Sequence, residues 1–106
     1  MWKKLSANLM ASAGFDWMLI DMEHTPLSAR EATAIVHAVA NGSGGKCSPL
    51  VRIPAAEVSW VKWALDAGAD GIVVPMVQSK EEAERIVRYS KYPPVGQRSF
   101  GPFMAA

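Results

Sequence analysis

The strongest constraint on this chain is the alternation of two apolar patterns. Short runs at Trp17–Ile20, Leu50–Ile53 (interrupted only by Arg52) and Ile72–Val74 are bounded by Gly or Pro, and longer stretches with helical spacing lie between them. A run that is apolar at successive positions predicts a strand covered on both faces, as in a parallel sheet flanked by helices. The intervening stretches carry start signals. Ser28 and Glu31 form an S-x-x-E capping box ahead of Ala32, Ile35, Val36 and Val39, which share one helical face, and Asn41-Gly42 predicts the end of that helix. Ser79 and Glu82 repeat the box before Ala83, Ile86 and Val87, with Pro93-Pro94 as the stop. Glu57–Ala67 places Val58, Val61 and Leu65 in phase with Gly68 at C′, and Leu5–Ala13 reads as a partial helix ended by Gly14. The predicted order is α-βα-βα-βα, with strands over 17–21, 49–53 and 71–75 and a polar tail from Lys91.

Two details refine this order. Ala13-Gly14-Phe15-Asp16 and Ala67-Gly68-Ala69-Asp70 are both A-G-x-D between a helix end and a strand start, which suggests a repeated helix-to-strand turn. Asn41–Lys46, with three glycines, reads as a surface loop. A phosphate-binding loop would instead follow a strand and open a helix.

At 106 residues the chain has room for one domain. Eleven basic against ten acidic residues, a net charge of +1, supply no electrostatic footprint for nucleic acid or an anionic membrane. No apolar stretch approaches the roughly 20 residues of a membrane span, and the Met1-Trp-Lys-Lys start lacks the apolar core of a signal peptide. The single cysteine, Cys47, excludes an intrachain disulfide and a cysteine-built zinc site. A soluble protein of the reducing cytoplasm is expected.

In parallel βα architectures ligands lie beyond the carboxyl ends of the strands. There the first run passes into Asp21-Met22-Glu23-His24, the second carries Arg52, and the third ends at Pro75 with Gln78 following. His24 is placed to act as a general acid or base, with Asp21 orienting the imidazole or holding its proton. The structural alternative has His24 capping its loop and Asp21 accepting from strand-end amides. Glu23 could ligate a metal, bond a metal-bound water or stabilise the turn. A guanidinium between Val51 and Ile53 calls for an anion, either a substrate carboxylate or enolate, or an ion pair with Asp21 or Glu23. Gln78 is placed either to bond a ligand or to begin the next helix. His37 reads as a surface residue, Trp60 and Trp63 as packing residues, Cys47 as inert, and Arg98 as a solvated loop residue or an anion contact.

Several ordered motifs resemble the HpcH/HpaI aldolase/citrate lyase family over nearly the whole chain. They are Gly14-Phe15-Asp16-Trp17, Asp21-Met22-Glu23-His24, Pro49-Leu50-Val51-Arg52, the block from Ala67-Gly68-Ala69-Asp70 to Val74-Pro75-Met76-Val77-Gln78, and Pro93-Pro94-x-Gly96-x-Arg98. The resemblance implies an α/β fold that is part of a TIM (β/α)₈ barrel. It also implies a class II, aldehyde-lyase type of enzyme that uses Mg or Mn to make or break a carbon–carbon bond through the enolate of a pyruvate-like 2-oxo acid, with an aldehyde as co-substrate. It casts His24 as the catalytic histidine, Asp21 as its dyad partner, and Arg52 as the residue that binds the oxo acid and stabilises the enolate; Gln78, by its place after the third strand, is the further expected substrate contact. Glu23 falls near the metal-bound water, and no direct metal ligand of the family is recognised. A whole barrel has about 250 residues, so residues 1–106 are expected to be a fragment lacking the first strand and the C-terminal half. Such a fragment would be inactive alone and would associate with itself or with a full-length relative.

Overall fold

The computed structural model describes residues 2–99. Seven elements alternate: α1 (Trp2–Ala11), β1 (Trp17–Asp21), α2 (Ala29–Ser43), β2 (Ser48–Arg52), α3 (Val58–Asp66), β3 (Gly71–Val73) and α4 (Lys80–Ser90). The strands form one parallel sheet in the order β1-β2-β3. Trp17 is level with Ser48 and Asp21 with Arg52, while Leu50 is level with Gly71 and Arg52 with Val73. The expected α/β order is therefore observed, with β2 beginning and ending one residue earlier than predicted and β3 two residues shorter.

The local signals act as their chemistry requires. Ser28 Oγ accepts the Glu31 amide at 3.1 Å and the Glu31 carboxylate accepts the Ser28 amide at 3.1 Å, so both arms of the box are closed. At Ser79 only the forward arm forms, and Glu82 accepts from the Gln78 amide instead. Gly14 and Gly68, the glycines of the repeated A-G-x-D turn, have φ of +97° and +100°, a region that costs most other residues strain. Each turn is tied to β2 through its aspartate backbone, with opposite polarity: Asp16 O accepts from Ser48 N and Asp70 N donates to Pro49 O, each at 2.9 Å.

Four expectations need correction. The first helix spans Trp2–Ala11 and not Leu5–Ala13, beginning three residues earlier and stopping short of Gly14. The helix after Ser28 runs past Asn41-Gly42 to Ser43 and ends at left-handed Gly44, so half of the expected 41–46 loop is helix. Gly42 sits where α1 crosses, and a Cβ there would overlap the Asn8 backbone. His37 is not a surface residue: it is half-buried, and its Nε2 lies 3.1 Å from Ala67 O, tying α2 to the end of α3. The segment from Lys91 is not a loose polar tail, because it folds back on α4 and buries the Arg98 side chain to 9% exposure. The part of that expected tail beyond Ser99 lies outside the described residues.

The helices cover one face of the sheet. Ile20, Met22, Val51 and Ile53 are at most 7% exposed and pack with Ala32, Val36, Val39 and Val61 into the core. α1 lies along α2, joined by Lys3–Glu31 at 3.2 Å and Asn8–Ala38 at 3.4 Å; the contacts advance together along both helices, so they run parallel. On the other face Trp17, Leu19 and Val73 are 60%, 40% and 41% exposed. The apolar runs predict cover on both faces, and among the described residues only one face has it.

Candidate active site at the carboxyl ends of the first two strands

Asp21 and Arg52 are the last residues of β1 and β2 and stand side by side on the face away from the helices, because their register makes them partners. Strand alternation sends Met22, 7% exposed, into the core, and its amide extends the ladder by donating to Arg52 O at 2.9 Å. The turn is thereby anchored between Asp21 and Glu23.

Arg52 donates through Nε to Asp21 Oδ1 at 3.0 Å and through Nη2 to Oδ2 at 2.5 Å, a two-pronged pair. Oδ1 also accepts the amides of Glu23 and His24, at 2.9 and 3.1 Å. The Arg52 hydrogen bond holds the Asp21 carboxyl well below the usual carboxylate range; burial opposes the shift and the two amides add to it. Arg52 is correspondingly held more firmly protonated, chiefly by its bond to Asp21. Glu23 Oε1 lies 3.6 Å from Arg52 Nε and 3.2 Å from His24 Nε2.

All four residues of the Asp21, Glu23, His24 and Arg52 set thus come together, in an arrangement that differs from the simplest expectation. Asp21 reaches His24 through the backbone amide, and the carboxylate beside the imidazole is that of Glu23. Both Asp21 oxygens are committed to Arg52, and a carboxyl held so firmly ionised is poorly suited to store a proton for His24. The structural alternatives for Asp21 and Arg52 are therefore realised at the same site where the functional ones would operate. The Asp21 contact occupies one edge of the guanidinium. Among the described residues nothing hydrogen-bonds its Nη1, and the side chain is 30% exposed, so donors remain for an anion. Gln78 lies beyond β3, exposed, and makes no hydrogen bond to this group among the described residues; its amide serves the start of α4.

Met76, beyond the end of β3, has φ +55° and is 76% exposed. Methionine has no left-handed preference, so no signal in the sequence marks this turn. Trp60 and Trp63 pack edge to face, with centroids 5.3 Å apart, as packing residues should.

Among the described residues no three His, Cys, Asp or Glu side chains converge as a metal-holding group. Asp21 is paired to Arg52 and one oxygen of Glu23 lies against His24 and Arg52, so these residues do not by themselves form a complete set of direct ligands.

A parallel βα sheet with an arginine, carboxylates and a histidine at the carboxyl ends of its strands has the layout on which α/β folds build their ligand sites. Residues 2–103 match the HpcH/HpaI aldolase/citrate lyase family, and the chain belongs to it. It is 43% identical over 96 residues to the 4-hydroxy-2-oxovalerate aldolase of Rhodococcus jostii, covering 91% of this chain and 36% of that protein. To the 4-hydroxy-2-oxo-heptane-1,7-dioate aldolase of Shigella sonnei it is 40% identical over 105 residues, covering 94% of this chain and 37% of that protein. The structure of macrophomate synthase superposes with a TM-score of 0.88 at 35% identity, covering 95% of this chain and 34% of that one. The chain therefore spans little more than a third of the relatives it matches, and its three βα units correspond to part of their TIM-barrel-type fold. No described helix is long and apolar enough to cross a membrane.

Proposed function

We propose that this chain carries the substrate-anion corner of a carbon–carbon lyase acting on a 2-oxo acid with an aldehyde as co-substrate. The observation that carries the reading is the geometry of Arg52, a guanidinium fixed along one edge by Asp21 with donors left over. Such a fixed cation is preorganised to bind the acid's carboxylate and to stabilise negative charge as an enolate develops. His24, 71% exposed beside Glu23, would exchange a proton with the reacting oxygen; its exposure and its carboxylate neighbour support that role. Asp21 acts here by holding Arg52 and the turn, and Gln78 is a more distant substrate contact. Family resemblance supports class II, aldehyde-lyase chemistry with Mg or Mn. The residues present do not complete a metal site, so no step is derived through the ion. A cytoplasmic setting accords with the single reduced cysteine.

The 106 residues alone are expected to be inactive, because the arginine and histidine lack the rest of the site. In an oxaloacetate decarboxylation or pyruvate-releasing retro-aldol assay supplied with Mg or Mn, the chain should show no turnover above background. Substantial turnover that disappears in His24→Ala or Arg52→Ala would overturn the inactivity while confirming the roles. Turnover indifferent to both substitutions would overturn the roles.

A second reading, a non-catalytic piece that assembles with a full-length relative, is favoured by the uncovered apolar face at Trp17, Leu19 and Val73. The mass of the particle formed on mixing the two proteins separates it from the first.

A further inference from the structure

The fully packed core is drawn from residues 7 to 69, and the last βα unit adds to it only the partly buried Ile72, Val74 and Tyr89. α4 has no buried residue at all, and β3 pairs with β2 over three residues. Apolar burial therefore does little to hold this unit. What holds its far end is polar. Gln97 N donates to Arg88 O at 2.7 Å and Arg98 N donates to Lys91 O at 2.8 Å, which satisfies carbonyls that the end of α4 would otherwise leave open. Gly96 is required for this return, since a Cβ would overlap the Arg88 and Lys91 carbonyl oxygens. The fold-back delivers Arg98 onto the Tyr92 ring, with its guanidinium carbon 4.5 Å from the centroid, and places Nη2 3.1 Å from Asp66 Oδ1 at the end of α3. At 9% exposure it is the most buried charged side chain in any ion pair of the described residues, and its Nε has no hydrogen-bond partner among them.

We propose that residues 71–99 form a separately opening unit, strapped to the body of the molecule by the Arg98–Asp66 pair over Tyr92. Arg98 is thus a latch and not an anion contact. The strap is made at the end of α3, where the chain turns toward β3, yet it bears on the strand beside Arg52. When the unit opens, the bond from Ile53 N to Val73 O at 3.1 Å is lost and the β2 strand that carries Arg52 becomes an edge. Because the guanidinium is buried and stacked, removing its carboxylate leaves a charge without its partner, which costs more than losing a surface pair.

Native-state hydrogen exchange on the intact chain tests this without any assay of activity. Amides of α4 and of 96–98 should exchange as one group, faster than those of α2. Asp66→Asn, which keeps the side-chain shape, and Arg98→Ala should each accelerate that group by at least roughly tenfold and leave α2 unchanged. Arg98→Lys should restore only part of the protection, since lysine lacks the planar fork and stack. Asp66→Asn added to Arg98→Ala should have no further effect. Equal protection of α4 and α2 in the unaltered chain would overturn the separate unit. An unchanged or uniform response to Asp66→Asn would overturn the latch. Neither result bears on whether Arg52 binds an oxo acid.

Discussion

At the scale of single residues, the pair at the strand ends joins stability to the chemistry proposed for it. The Asp21 carboxyl titrates below its ordinary range when folded, so it stabilises the fold in its ionised form. That contribution is complete above the unfolded carboxyl value of about 4 and is lost as pH falls through the lower folded value. Glu31, lowered by the Ser28 amide and by Lys3, follows the same sign. Asp21→Asn should therefore lower Tm at neutral pH and flatten the acid limb of a Tm-against-pH curve, so that variant and unaltered chain converge on acidification. A constant Tm difference from pH 7 to pH 2 would show that Asp21 acts by packing alone. The positions of Asp21, Glu23, His24 and Arg52 at strand ends could be read from the sequence. The pairing of Arg52 with Asp21 and the bonds from strand-end amides to Asp21 stood among the readings of the sequence, but Glu23 as the neighbour of His24 did not, because which carboxylate faces the imidazole depends on a turn that sends Met22 inward.

At the scale of elements, the two S-x-x-E boxes look alike as sequence and differ as structure. The Ser28 box is closed in both directions on a helix that buries Ala32, Ile35, Val36, Ala38 and Val39, whereas Ser79 caps a helix with no buried residue. Ser28→Ala should cost about 1 kcal/mol, a Tm decrease of roughly 4–8 °C for a domain near this size. Ser79→Ala should leave the main thermal transition nearly unmoved, since α4 shares little of the core. Equal losses in the two variants, measured by calorimetry, would mean that α4 unfolds only with the whole. The starts of α2 and α4 were legible because a cap is a local bond between residues three apart, whereas α1 carries no such signal and begins at Trp2, ahead of the expected Leu5. Helix ends were less so. Asn41-Gly42 marks a stop, but the helix runs on to Ser43 with Gly44 as its cap, and the missing side chain at Gly42 serves instead to let the Asn8 backbone approach. His37 and Arg98 were misread for a related reason: their partners, Ala67 and Asp66, are 30 and 32 residues away, and no local pattern marks them.

At the scale of the molecule, the apolar runs announce a sheet meant to be covered twice, and the described helices cover it once. Trp17, Leu19 and Val73 rise from the uncovered face, beside a half-buried Leu50 level with Leu19, and β1 and β3 each leave an outer edge unpaired among the described residues. The runs could be read as parallel strands because their period is local, whereas what covers the second face is a long-range matter that 106 residues do not spell out. Parallel sheets are rarely stable with a bare apolar face, and open edges are templates for pairing. The chain should therefore self-associate with increasing concentration in sedimentation velocity, or join a full-length relative when the two are mixed. Trp17→Ser with Leu19→Ser removes the largest exposed apolar groups of that face without touching the buried core, so it should shift the distribution toward monomer while far-ultraviolet dichroism stays the same. A monodisperse monomer of the unaltered chain that also ignores the full-length relative would remove the assembly reading and leave the bare face to be explained as tolerated.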